Sequence, residues 1–182
     1  MSDNITPVET SSSINTDGRT QYSYKSKYEE KEVRKHIRYE AAYLVVLYLL
    51  ANSVMFLNYM GLISDLFKID DVRTRLFEYI IYFTAAGLLG GIVFGIKYFY
   101  RVIAHGYWHY DRQYWRLLSP LISATIAFIV ACMVSSGLLG TESSYSNAWA
   151  IAFGFFSGYF ADEAVGKMYE IATFVFGKNS KK

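Results

Sequence analysis

Proline, cysteine and charged residues are all scarce in this chain of 182 residues. The shortage of cysteine and the shortage of charge each argue against a class of protein. With one cysteine, Cys132, a disulfide within the chain is impossible, so cysteine usage indicates no redox compartment. Asp, Glu, Lys and Arg make up only 19% of the residues, and the net charge of +2 does not suggest a nucleic-acid-binding surface. Hydrophobic residues reach 53% and aromatic residues 18%, which is high for a water-soluble domain.

The few charged residues are unevenly distributed along the chain. Four long windows contain no Asp, Glu, Lys or Arg: 41–64, 79–96, 117–141 and 143–161. A membrane-spanning helix needs about 20 mostly apolar residues, so each window can be read as a crossing. We therefore predict an all-α integral membrane protein, a bundle of four transmembrane helices at about 41–63, 76–96, 117–139 and 146–161. The apolar core of the last is short, so two or three crossings remain the alternative.

The segments outside the windows are polar. Residues 1–20 are rich in Ser, Thr, Asn and Asp, which predicts a disordered tail. Residues 21–40 mix charges of both signs at three- and four-residue spacing, which is typical of a solvated helix. In residues 162–182, apolar side chains recur at helical spacing opposite charged ones, which predicts an amphipathic helix followed by a basic end.

Lys and Arg favour one side of the predicted membrane. Of the 18 bases, seven precede residue 41, four lie in 97–116 and four follow residue 161. The other three, Lys68, Arg73 and Arg75, lie in the connector between the first two windows. Because cytoplasmic loops carry the excess of Lys and Arg, both termini and residues 97–116 are predicted to be cytoplasmic.

Residues 97–116, KYFYRVIAHGYWHYDRQYWR, separate the second and third windows, and we call them the hinge. Trp and Tyr concentrate at membrane interfaces, so this aromatic and basic stretch is expected at the cytoplasmic surface. Together with the end of the fourth window it supplies the candidate cytoplasmic interface: Arg101, Trp108, Arg112, Trp115, Arg116 and Asp162. His105, His109 and Asp111 superficially suggest a metal site, but no further ligands accompany them and no metal is expected.

Small residues recur at every fourth position in three of the windows. They are Gly87, Gly91 and Gly95 in the second, Ser123, Ala127 and Ala131 in the third, and Gly154 and Gly158 in the fourth. Such residues share one helix face and let another backbone approach closely. They are predicted to serve helix packing, either within one chain or between identical copies in a homo-oligomer.

We also make predictions for two other residues within the windows. Pro120 is expected in the first turn of the third span, where a helix tolerates proline. The amide of Asn52 is expected to bond to another helix, as polar groups in hydrocarbon do.

Recognisable catalytic chemistry is lacking. The candidate titratable residues, His105, His109, Asp111, Asp162 and Glu163, follow no known spacing motif. No acid or base lies deep within a predicted span, where a proton-coupled transporter would place one. We therefore expect a non-enzymatic protein with no catalytic residues and no cofactor.

In general build the chain resembles the small polytopic inner-membrane proteins of bacterial antiphage systems, which include retron-associated transmembrane effectors and the membrane subunit of Kiwa-type systems. The resemblance covers residues 39–177: a short cytoplasmic tail, tight spans, minimal outer loops and the amphipathic end GYFADEAVGKMYEIATFVFG. It implies a multi-pass protein of the bacterial inner membrane, held silent by a partner until infection is sensed. Some such effectors are described with two spans, whereas four are predicted here.

The function expected from the resemblance is a defence effector that assembles through the small-residue faces and disrupts membrane integrity when triggered. One alternative is a membrane anchor or sensor subunit that recruits a soluble cytoplasmic partner through residues 22–38 and the hinge. Another is a small channel or transporter unrelated to defence. The expected partners are the lipid bilayer, further copies of the chain, and a cytoplasmic protein or ribonucleoprotein from the same operon; direct nucleic-acid binding is not expected.

The predicted orientation can be tested with a reporter that is active only in the periplasm. Fused after Lys182 it should be inactive, because the bases on that side hold the end of the chain in the cytoplasm. The same reporter fused after Lys68 should be active. Activity at Lys182 would overturn the orientation.

Overall fold

A computed structural model describes residues 26, 28–67, 71–137, 146–161, 169–170 and 173. This part of the chain forms helices and no strand. They are α1 (Lys31–Tyr59), α2 (Leu62–Leu66), α3 (Asp71–His105), a 3₁₀ turn (Tyr110–Arg112), α4 (Gln113–Ser135) and α5 (Asn147–Tyr159). The predicted tail 1–20, Asp162 and almost all of the predicted segment 162–182 lie outside the described residues.

Three of the helical stretches are long and apolar enough to cross a membrane. They are Lys31–Tyr59, Arg73–His105 and Tyr110–Ser135, with mean hydropathies of 1.7, 1.9 and 2.3 in their apolar windows. Helix α5 has 13 residues, fewer than the roughly 20 that an untilted crossing needs. Over the described residues the chain is therefore all-α, with three helices capable of spanning a membrane.

Helix boundaries differ from the predicted spans at two places. The charged segment and the first window form one continuous helix of 29 residues, α1, which ends before Gly61. Gly61 takes a φ of 74°, a left-handed conformation that side chains with a Cβ rarely adopt. Helix α4 begins at Gln113, so Pro120 lies inside the helix and not in its first turn. Because proline has no N–H, the carbonyl of Arg116 lacks its usual helical donor there.

The hinge is mostly helical. Helix α3 continues through Lys97 as far as His105, and the chain reverses over residues 106–109. Gly106, with a φ of 75°, makes this reversal. The loop between the second and third long helices is therefore much shorter than residues 97–116.

Helix α3 is the centre of the bundle. It packs along α5, α4 and α1, whereas α1 makes only minor contact with α4. The buried core joins α3, α4 and α5 and consists of Tyr79, Tyr82, Phe83, Ala127, Ala131, Val134 and Ala150. Helix α1 is thus attached to the side of a three-helix unit.

The glycines of α5 bring its backbone against the backbone of α3. A Cβ placed on Gly158 would overlap the backbone of Gly87, and one placed on Gly154 would overlap the backbone of Phe83. Neither position can accept even alanine without a backbone shift, because the obstructing atoms belong to the main chain. Glycine therefore sets the distance between these two helices.

The small-residue faces of α3 and α4 also pack against each other. A Cβ on Gly87 would collide with the Ala127 side chain, and one on Gly91 would collide with Ser123. Gly95 is different, because the nearest atom to a Cβ there is Cδ2 of Leu44 at 3.6 Å, an ordinary contact. Small residues of three windows are thus packed together within one chain.

The expectation for Asn52 is wrong, and another asparagine has the role. Asn52 is exposed and its amide donates to the carbonyl of Tyr48 in its own helix, at 2.8 Å. Asn58 is buried and its amide donates to the carbonyl of Glu78 in α3, at 3.2 Å. The polar link between α1 and α3 therefore lies at the end of α1 away from the hinge.

Replacing Gly158 with alanine should destabilise the bundle by about 1–3 kcal/mol, because α5 must move away from α3. The matched control is Gly95→Ala, which has room for the methyl group and should be neutral or stabilising by up to about 1 kcal/mol. Unfolding followed by circular dichroism in detergent measures both. Equal stability of the two variants would contradict the close contact.

Candidate functional site at the hinge end of the bundle

A buried carboxylate joins α1 to α4 at the hinge end. Glu40 is 1% exposed although it ends the charged part of α1, and Arg116 is 6% exposed in the first turns of α4. The Arg116 Nε donates to Oε1 of Glu40, and its Nη2 donates to Oε2 at 3.0 Å. This two-point pairing fixes the orientation of both side chains.

The loop of the hinge adds a third member. The indole Nε1 of Trp108 donates to Oε2 of Glu40 at 3.0 Å. The guanidinium carbon of Arg116 lies 5.6 Å from the Trp108 ring centroid, within the range of a cation–π contact. We call Glu40, Trp108 and Arg116 the buried cluster. It ties together α1, the hinge loop and α4.

Tyr28 connects the segment before α1 to the hinge through hydrogen bonds. Its hydroxyl donates to the carbonyl of Val102 at 3.4 Å and accepts from the backbone N–H of Trp108 at 3.2 Å. The Tyr28 and Trp108 rings meet edge to face with centroids 6.5 Å apart. One residue thus links the chain before α1 to both the end of α3 and the loop that follows it.

A second link between α1 and α4 lies one turn further along α1. The hydroxyl of Tyr43 donates to the carbonyl of Leu117 at 2.9 Å. Contact between these two helices is otherwise minor, so polar bonds at the hinge end are what hold them together.

A groove of about 680 Å³ lies over the buried cluster. Its walls come from the segment before α1, the start of α1 and the hinge loop. The lining residues are Ser26, Tyr28, Glu29, Glu30, Val33, Trp108, His109 and Tyr110. Trp108 belongs both to this groove and to the buried cluster, so the groove and the Glu40 carboxylate share a side chain.

The five predicted interface residues that the structure describes have different environments. Arg101, Arg112 and Trp115 are exposed, Trp115 by 60%. Trp108 and Arg116 are buried, at 8% and 6% exposure, so they do not form an exposed interface. The reason is Glu40, whose carboxylate provides the partner for both of their side-chain donors.

Glu40 is the functional candidate that the sequence analysis missed, whereas Tyr28 lies in the predicted partner-binding segment 22–38. Glu40 was included in a solvated charged helix, since its neighbours in residues 31–39 carry alternating charges. A usable signal exists: Glu40 directly precedes the first charge-free window and Arg116 directly precedes the third. Opposite charges at the same edge of two adjacent spans are well placed to pair.

Of the two hinge histidines, His105 contacts residues close to it in the chain, whereas His109 lines the groove. Nδ1 of His105 lies 2.8 Å from the carbonyl oxygen of Arg101, and the imidazole stacks on Tyr107 with centroids 6.1 Å apart. Over the described ranges, no three His, Cys, Asp or Glu side chains come close enough to hold a metal ion.

Comparisons with known proteins supply no relative for this chain. A scan against protein-family models gave no match, and searches of curated proteins and of solved structures gave none either. The functional argument therefore depends on the arrangement of the chain's own residues.

Replacing Glu40 with glutamine should destabilise the protein by about 3–5 kcal/mol, because it leaves the Arg116 guanidinium buried without a counter-charge. The matched control is Glu32→Gln, an exposed glutamate of α1, which should change stability by less than about 1 kcal/mol. Unfolding in detergent measures both.

The double variant Glu40→Leu with Arg116→Met should recover most of the lost stability, because apolar side chains replace both charges. If Glu40→Gln proved as stable as Glu32→Gln, the pair would not hold the hinge end together.

Proposed function

We propose that this chain is a non-enzymatic, multi-pass protein of the bacterial inner membrane that acts as the effector of an antiphage defence system. In this proposal both termini and the hinge face the cytoplasm, and α5 with its flanking residues makes a fourth crossing. The distribution of Lys and Arg supports the orientation. The resemblance in general build to antiphage membrane proteins supports the bacterial inner membrane as the location and defence as the role.

The observation that carries the proposal is the double role of Trp108. Its ring lines the groove, and its indole N–H bonds to the Glu40 carboxylate that is paired with Arg116. A cytoplasmic protein seated in the groove would contact this side chain directly. Displacing Trp108 would remove one of the three bonds to Glu40 and so weaken the connection between α1 and α4.

Because α1 is one continuous helix, a weakened connection to α4 at its hinge end would affect the position of the whole helix. Its 29 residues form one helix roughly 43 Å long, so the charged segment and the apolar segment move as a single rod. Since α1 touches α4 only slightly outside the hinge end, release of the buried cluster would let it swing away from α4.

Opening of the apolar interface behind α1 would be the change that affects the membrane. A groove of about 400 Å³ between α1, α3 and α4 is lined almost wholly by apolar side chains, among them Ala51, Leu88 and Phe128. Movement of α1 would open this interface within the span region. Loss of the barrier to ions is the result expected for an effector that acts without catalysis.

A second candidate, a membrane anchor or sensor subunit, is favoured by the packing of the glycines. Gly87, Gly91, Gly154 and Gly158 are in contact with neighbouring helices of the same chain. They are not available to a second copy in this arrangement, so an effector that works by oligomerising must use other faces. An anchor would need only the groove and the spans.

Expression of the full chain without its genomic neighbours should depolarise cells, as followed with a membrane-potential dye under graded induction. Tyr28→Phe removes the hydroxyl that bonds Val102 and Trp108, which weakens the closed arrangement. Half-maximal depolarisation should then need about fivefold less protein, as expected for the loss of about 1 kcal/mol.

The matched control is Tyr100→Phe, an exposed tyrosine of the hinge, which should behave like the parent chain. If neither the parent nor Tyr28→Phe depolarises cells, even with a trigger supplied, the effector proposal fails. Recovery of a soluble partner in that case, lost on Trp108→Ala, would favour the anchor.

A further inference from the structure

The guanidinium of Arg116 keeps one donor that the buried cluster does not use. Its Nε and Nη2 bond to Glu40, but Nη1 is buried and makes no hydrogen bond within the described residues. A buried donor without an acceptor is costly, more so on a charged group. Two of the three nitrogens of Arg116 are therefore paired with Glu40, and the third has no acceptor within the described residues.

Arg116 also lines a cavity on the side of α4 that faces α3. The cavity measures about 170 Å³ and is bounded by Phe94, Gly95, Tyr98, Trp115, Arg116 and Ser119. It is separate from the groove beside Tyr28, with which it shares no residue. Tyr98 and Trp115 are both exposed, so the mouth of the cavity lies at the surface of the bundle.

The walls of this cavity combine hydrogen-bond donors with apolar rings. Two hydroxyls, those of Ser119 and Tyr98, accompany the guanidinium in the wall of the cavity. Phe94 and Trp115 supply the apolar surface, and Gly95 leaves the space open. Donors beside a cation select an anionic oxygen, and the rings select something with an apolar part.

The surroundings are basic and lie at the edge of the spans. Arg112, which precedes the first turn of α4, is exposed one turn before Arg116, and Lys97 is exposed beside Tyr98. Basic pockets between membrane helices are typical sites for phospholipid head groups. Trp115 is the kind of residue that lies at the level of those head groups.

We propose that this cavity binds the phosphate of an anionic phospholipid, with a phosphate oxygen accepting from Ser119 beside the Arg116 guanidinium and the lipid's apolar part against Phe94 and Trp115. The phosphate would lie near the guanidinium that Glu40 already pairs, so that one cation is shared by two anions. This site is independent of the proposed function, since an effector and an anchor would both carry it.

The test uses the full chain purified in a neutral detergent, with phosphatidylglycerol added and retained lipid counted by native mass spectrometry. One phosphatidylglycerol should be retained in preference to phosphatidylcholine, whose zwitterionic head group has no net charge and places a quaternary ammonium near the bases of the rim. Gly95→Leu, which fills the cavity, and Ser119→Ala, which removes a donor, should each weaken retention roughly tenfold. Both variants keep Glu40 and Arg116 themselves.

The matched controls are Thr125→Leu and Ser136→Ala, two positions on or beside α4 whose hydroxyls bond only within their own helix. Both should retain the lipid as the parent does. The helical circular dichroism of every variant is compared with that of the parent, and Ser119→Ala serves as the test if Gly95→Leu fails to fold.

A second arm replaces the lipid with inorganic phosphate and follows the unfolding midpoint at constant ionic strength. Stabilisation by phosphatidylglycerol but not by phosphate supports the lipid. Stabilisation by phosphate that disappears in Gly95→Leu supports the same phosphate site with a free anion as its source. Equal lipid retention by the parent, Gly95→Leu and Ser119→Ala overturns the proposal.

Discussion

Helices α3 and α5 lie so close together that only glycine fits between them, and the bundle is arranged around this contact. Gly158 lies against the backbone of Gly87, and Gly154 lies against that of Phe83. Lipid chains are as apolar as the side chains they surround, so membrane helices associate through close van der Waals packing of this kind. With only 13 residues, α5 depends on that packing for its position. The same face of α3 receives α4, which makes α3 the common support.

The four-residue repeat of small side chains could be found without a structure, because it follows from helical geometry alone. What could not be predicted was the partner of each face. A repeat indicates that a close neighbour exists, but a helix of the same chain and a helix of a second copy would produce the same pattern. Gly95 illustrates the point: it continues the repeat of Gly87 and Gly91, yet its neighbour is a Leu44 side chain at ordinary distance.

The buried cluster was harder to predict because its members are charged or aromatic and lie far apart in sequence. Alternating charges before Glu40 are typical of a solvated helix, and only its position at the edge of the first charge-free window distinguishes that glutamate from its neighbours. Pairing it with Arg116 requires knowing that the two flank adjacent spans at the same end. The position of Trp108 depends in addition on the reversal at Gly106, which no periodic pattern encodes.

The place of Glu40 along α1 has a consequence for how that helix can move. From Glu40 to Tyr59 the helix runs for roughly 30 Å, about the thickness of the hydrocarbon core. The carboxylate is thus at one edge of the apolar layer, beside the guanidinium that keeps it there. Sliding α1 along its axis toward the bilayer centre would carry a charge into hydrocarbon, which is strongly unfavourable. Tilting would leave that charge at the edge, so in a membrane the Glu40 carboxylate would restrict the depth of α1 more than its angle.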